Sequence, residues 1–227
     1  LAPLAVVGVP PVVQTVRMMA YAERAVAGHG GVYDRALQGK FGALVAPGVS
    51  LLIAGDSRAQ RQLVPAVFAA RGVSAVNIAT NAQDLVTFAN AVDRYGLPES
   101  VRTLVISTSV FQVNDGAIAG GFLSTACLLN MTQGQDKEIE EAARLDGARW
   151  RIFQQALARV SATGRDVVVI QPPVSPAWRA YTAGTFVEQA ELMYSRMLRD
   201  AGAAVPRVRV LDFYTTPDPR FGNREFY

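Results

Sequence analysis

The chain has one cysteine, Cys127, and one histidine, His29. A lone cysteine excludes an intrachain disulfide, and no CxxC or Cys/His spacing for a metal occurs. Cys127 itself reads as a small buried thiol. A lone histidine leaves one imidazole in the whole sequence, in the GHGG stretch at 28–31, where a solvent or turn role is expected. Charge is sparse too. Asp, Glu, Lys and Arg make up 18% of 227 residues while half are hydrophobic, which excludes a disordered or highly solvated chain. The net charge is +3 and the sequence pI about 9.2, but no Lys/Arg block or basic–aromatic interleaving accompanies them. No nucleic-acid partner is expected, and a membrane surface or an anionic polymer suits the mild excess equally well. Neither GxGxxG nor a P-loop lysine motif is present, so no nucleotide or other cofactor is implied. Internal repeats and low-complexity segments are also lacking.

Long hydrophobic runs are missing as well. The apolar start, LAPLAVVGVPPVV, is thirteen residues, too few to span a bilayer, and Pro3, Pro10 and Pro11 interrupt a helix. Two readings stay open: the outer end of an anchor or signal peptide, or an apolar strap packed on the domain. A helical stretch, QTVRMMAYAERAVA, and the breaker GHGG follow. Residues 1–46 are therefore taken as a lead-in and 47–227 as one α/β domain, a length that buries a core without staples.

From residue 49 the sequence alternates. VSLLIAG (49–55), SAVNIAT (74–80), VRTLVIST (101–108), DVVVIQPP (166–173) and PRVRVLDF (206–213) read as five short strands. Between them lie helical patterns. One continues from the first strand to about Arg71. One at 84–96 puts Leu85, Phe88, Ala89 and Val92 on a face. One at 136–160 does so with Ile152, Phe153, Ala156, Leu157 and Val160. One at 185–202 does so with Phe186, Ala190, Met193 and Met197. Strands alternating with helices imply parallel pairing, and continuous apolar runs imply a sheet covered on both faces. The predicted architecture is a three-layer α/β/α sandwich with a mainly parallel five-stranded, flavodoxin-like sheet. Residues 114–136 fit the alternation poorly and read as a loop or lid, with 117–131 as a contact surface.

The first strand ends in Gly55-Asp56-Ser57, immediately before a helix. Glycine permits a tight turn, aspartate can hold it through backbone hydrogen bonds, and serine there projects a hydroxyl from the sheet edge beside free helix N–H groups. The tripeptide also suits an ordinary helix cap. Gly55-Asp56-Ser57-Arg58-Ala59 comes close to the G-x-S-x-G nucleophile elbow, but Ala59 breaks that motif.

An apolar first strand running into GDS resembles the SGNH (GDSL-type) hydrolase superfamily. The resemblance implies that Ser57 is the nucleophile, with Gly55 and Asp56 organising its turn. It places the oxyanion-binding N–H of the second block at Ala82, or neighbouring Asn81, where the family has glycine. The asparagine of the third block falls at Asn114, in FQVND, where Gln112 replaces the family's glycine. The Asp-x-x-His block that would supply the base is absent from VLDFYTTPDPRFGNREFY and is expected beyond Tyr227. Asp212 and Asp218 are assigned structural roles, since neither is followed by histidine. GDSRAQRQLVP is similar to the membrane-associated, alginate O-acetyltransferase-like branch. That likeness implies an extracytoplasmic serine esterase or O-acyltransferase acting on an acetyl group of a carbohydrate. It also implies a membrane protein partner and no metal or organic cofactor. The rival reading is a catalytically silent SGNH-like subunit of a membrane complex.

Overall fold

The computed structural model describes residue 40 and residues 48–80, 85–112 and 147–217. The expectations placed on His29, Asn81, Ala82, Asn114, Cys127, Asp218 and the 117–131 surface fall outside them.

Five strands form one sheet: β1 (Leu51–Gly55), β2 (Ala75–Asn77), β3 (Thr103–Ser107), β4 (Asp166–Gln171) and β5 (Val208–Asp212). Every pairing is parallel and the order is β2-β1-β3-β4-β5. This is the flavodoxin-like, doubly wound order. β1 is buried along its whole length, as an apolar run covered on both faces must be. Among the described residues six α-helices accompany the strands: α1 (Ser57–Gln62), α2 (Pro65–Ala69), α3 (Leu85–Tyr95), α4 (Gly147–Ala162), α5 (Pro176–Thr182) and α6 (Phe186–Ala204).

Alternate strand residues face opposite ways and build two cores. Leu52, Ala54, Leu104, Ile106, Val167 and Val169 pack with Phe88 of α3, Phe153 and Leu157 of α4, and Tyr194 and Leu198 of α6. Leu51, Ile53 and Val105 form the opposite cluster, against Leu63 and Phe68 at the end of α1 and in α2. Helices thus cover both faces, giving the three layers the alternation predicts.

Three helical expectations are corrected. The stretch after β1 is two helices. Proline disfavours helical backbone at the residue before it, and Val64 is extended (φ −84°, ψ 118°). Pro65 then starts α2 at its first position, where a missing N–H costs nothing. The buried stripe of α6 runs through Val187, Ala190, Tyr194, Leu198 and Ala201; of the predicted face Ala190 lies on it and Met197 packs half-buried against the core. Phe186 and Met193 are exposed. The polar-tipped residues Glu191, Tyr194 and Ser195 occupy the buried face and disguise it. Helix α5 was not expected. Its sign is Ser175-Pro176, where the Ser175 hydroxyl accepts the N–H of Trp178 as a cap.

Candidate active site

In this strand order the connection from β1 leads to β2 on one side, and the chain then returns across β1 to β3 on the other. The switch in strand order therefore falls between β1 and β3, whose carboxyl ends are where ligands bind in open sheets of this kind. Gly55 closes β1 there, in register with Ser107 of β3.

Gly55 has φ +139°, and a Cβ on it would lie 2.5 Å from the carbonyl oxygen of Ser107 and 2.8 Å from Cβ of Ala59. Only glycine fits, because the backbones of the turn and of β3 approach without side chains between them. Asp56, 9% exposed, is the N-cap of α1. Its Oδ1 accepts the backbone N–H of Arg58 at 2.9 Å. Ser57 is the first residue of α1 and is half-buried. Gly55, Asp56 and Ser57 therefore form a single turn at the switch in strand order.

The Arg58 guanidinium folds back over this turn. Nη2 donates to Asp56 Oδ2 at 2.6 Å and Nε to the same oxygen at 3.0 Å. Nη2 also donates to Ser109 Oγ at 2.5 Å, in the turn that follows β3. That turn is closed by Gln112, whose Oε1 accepts the N–H of Ser109 at 2.8 Å.

Asn77 fixes the other end of α1. Its Nδ2 donates to the carbonyls of Ala59 and Leu63, both at 2.9 Å, and its Oδ1 accepts the N–H of Ala79. It gives the Leu63 carbonyl, past the helix end, a donor, and adds a second donor to the Ala59 carbonyl, which already accepts the Leu63 N–H. The available signal was a lone amide between the apolar pairs of SAVNIAT. The Thr80 N–H donates to the Gly55 carbonyl at 3.2 Å, holding the end of β2 against the turn. The Thr80 hydroxyl is buried with no partner among the described residues. Lys40 donates to the carbonyl of Ala79, and burial lowers its pKa.

Behind the strand ends lies a buried polar row on α6. The Tyr194 hydroxyl is 2.5 Å from Thr108 Oγ1 just after β3. Glu191 Oε2 accepts from Nε2 of Gln171, the last residue of β4, at 3.0 Å, and the Ser195 hydroxyl donates to Oε1 of the same glutamine at 2.7 Å. Glu191 is 2% exposed. Burial pushes its pKa up to about 7, against the opposing pull of the Arg58 charge and the Gln171 hydrogen bond. Burial likewise raises the Tyr194 phenol, and it pushes Tyr214 up to about 12.

Asp212, at the end of β5, has a structural position. Its Oδ1 accepts the N–H groups of Tyr214 and Thr215, and its Oδ2 accepts from the Thr215 hydroxyl and from Arg199. Among the described residues no group of His, Cys, Asp and Glu is arranged to hold a metal ion, and no helix is long and apolar enough to cross a membrane.

No protein-family model matches this chain, and neither does any curated protein. Its fold is shared with solved structures. One is a protein from Streptococcus pneumonia, provisionally named a platelet activating factor. It is 12% identical with a TM-score of 0.55, over 92% of this chain and 84% of that one. Another is a lipase/acylhydrolase from Enterococcus faecalis, 17% identical with a TM-score of 0.46, over 78% of this chain and 83% of that one. At 12% identity the likeness to the first of these concerns the fold alone.

Proposed function

We propose that this chain is an SGNH-type serine hydrolase of the esterase kind. The observation that carries the reading is the place of the GDS turn. Its glycine is sterically required, its aspartate is locked, and its serine stands half-exposed at the carboxyl end of β1, beside the switch between β1 and β3. In an open α/β sheet this is where a ligand meets the chain.

In the reaction, Ser57 Oγ attacks the acyl carbon and loses its proton to a general base, forming a tetrahedral oxyanion. The superfamily resemblance assigns the oxyanion to the N–H groups of Ser57 and Ala82 and the side chain of Asn114. It assigns the base to a histidine oriented by an aspartate, the pair of the family's Asp-x-x-His block. Collapse expels the alcohol and leaves an acyl-Ser57 ester. Water then releases the acid, or a sugar hydroxyl takes the acyl group. The finer reading is an extracytoplasmic, membrane-associated enzyme that moves an acetyl group on a carbohydrate, working with a membrane protein. The apolar N-terminal stretch and the similarity of GDSRAQRQLVP to the O-acetyltransferase-like branch support it.

Ser57→Ala tests the core of this proposal. It is expected to abolish acyl release from p-nitrophenyl acetate and labelling by a fluorophosphonate, with the circular dichroism spectrum unchanged. Undiminished turnover, or labelling at another residue, refutes it.

A further inference from the structure

We propose that Arg58 is a positioning residue that sets the nucleophile turn in register with the turn after β3, an inference that rests on Ser57 being the nucleophile. Three observations lead to it. One guanidinium serves two partners that are far apart in sequence: the carboxylate of Asp56, which caps the helix beginning at Ser57, and the hydroxyl of Ser109. The two turns grow from adjacent strands whose last residues, Gly55 and Ser107, are paired. The second turn is closed internally, Ser109 N–H on Gln112 Oε1, so a pull on Ser109 moves it as a unit.

The backbone pairing ends at Gly55 and Ser107, and past that edge the two turns need side chains to hold their spacing. Arg58 supplies this link. The turn it holds is closed at Gln112, so one side chain ties the serine's turn to the turn after β3. An arginine suits the task because its planar fork binds a carboxylate side-on while the same edge reaches a third oxygen, whereas a lysine is a single point donor. The rival account is an ordinary ion pair between Arg58 and Asp56, partly open to water and worth little. That account assigns no consequence to Ser109.

The experiment compares wild type, Arg58→Ala, Arg58→Lys, Ser109→Ala and the double variant, all in the full-length protein, by amide hydrogen exchange and by p-nitrophenyl acetate turnover. Arg58→Ala is expected to speed exchange both at 57–59 and at 109–112 while β1 and β3 stay protected. Ser109→Ala leaves the Asp56 pair intact, and it should still loosen 109–112. A misplacement of about 1 Å at a reacting group costs on the order of a hundredfold. On that scale Arg58→Ala should lower kcat about ten- to a hundredfold with KM within about twofold. Arg58→Lys should recover part of the loss, and the double variant should be no worse than Arg58→Ala. Faster exchange confined to 56–58, or a kcat for Arg58→Ala within about twofold of wild type, overturns the proposal. If Ser57→Ala leaves turnover untouched, the reading of Ser57 fails instead, and the exchange arm still decides whether Arg58 ties the two turns.

Discussion

Replacing Glu191 with glutamine should flatten the loss of stability above neutral pH. Glu191 is 2% exposed and its folded pKa is about 7, against an ordinary glutamate value of 4.5. Burial is the main cause. The charges that act on it are Arg58 from α1, Arg179 from α5 and Asp212 from β5. The two arginines favour its ionisation, and the aspartate and burial oppose it. The folded state therefore holds a proton that the unfolded chain releases. This contribution is fully present below pH 4.5 and is lost as pH rises through about 7. At roughly 1.4 kcal/mol per pH unit, the difference of about 2.5 units between the two states amounts to about 3 kcal/mol. Glutamine mimics the protonated acid in shape, and its carbonyl can still accept from Gln171. Urea unfolding of wild type and Glu191→Gln at about pH 5 and about pH 8.5 reads the effect directly. Part of the contribution is already lost at pH 5, so the gap between the two proteins should shift by about 2.5 kcal/mol in favour of the variant at the higher pH, other titrations cancelling in the comparison. A gap that stays within about 0.5 kcal/mol at both pH values would refute the argument, because it would mean that Glu191 carries the same charge in both states of the chain.

Three further outcomes concern the turn and the far end of α1. Gly55→Ala adds a Cβ into the carbonyl of Ser107 and the side chain of Ala59 at a positive φ. It should cost about 3 kcal/mol in urea unfolding and slow fluorophosphonate labelling of Ser57, and a cost under about 1 kcal/mol would show that the turn yields. Asn77→Ala removes three hydrogen bonds, leaving the Leu63 carbonyl without the side-chain amide and the Ala59 carbonyl with the Leu63 N–H alone. A loss of about 2 kcal/mol is expected. Asn77→Asp sets a carboxylate against those two carbonyls. Its folded pKa is thereby raised, so it should cost more at neutral pH and recover part of the loss below about pH 4.

Much of the frame was legible before any coordinates. The five apolar runs predicted as strands coincide with β1 to β5, their cores lying inside the expected bounds. A strand buried on both faces needs only consecutive apolar residues, and that signal is local. The face of α3 was also readable, since Leu85, Phe88 and Ala89 are all buried. The face of α6 was not, because its buried row includes a glutamate, a tyrosine and a serine, which a hydropathy stripe counts as surface. Those residues are inside because they bond Gln171 and Thr108, partners brought to them by other strands.

The sequence by itself determined where β1 stops, that a glycine, an acid and a serine follow it, and that strands alternate with helices. Each of these is written in neighbouring residues. Only the tertiary structure decided that the serine stands at the switch between β1 and β3, that Arg58 reaches Ser109, and that Glu191 is dry. Strand order and side-chain pairing are set by crossovers and by packing across the sheet, and residues 51 positions apart carry no mark of each other until the chain has folded.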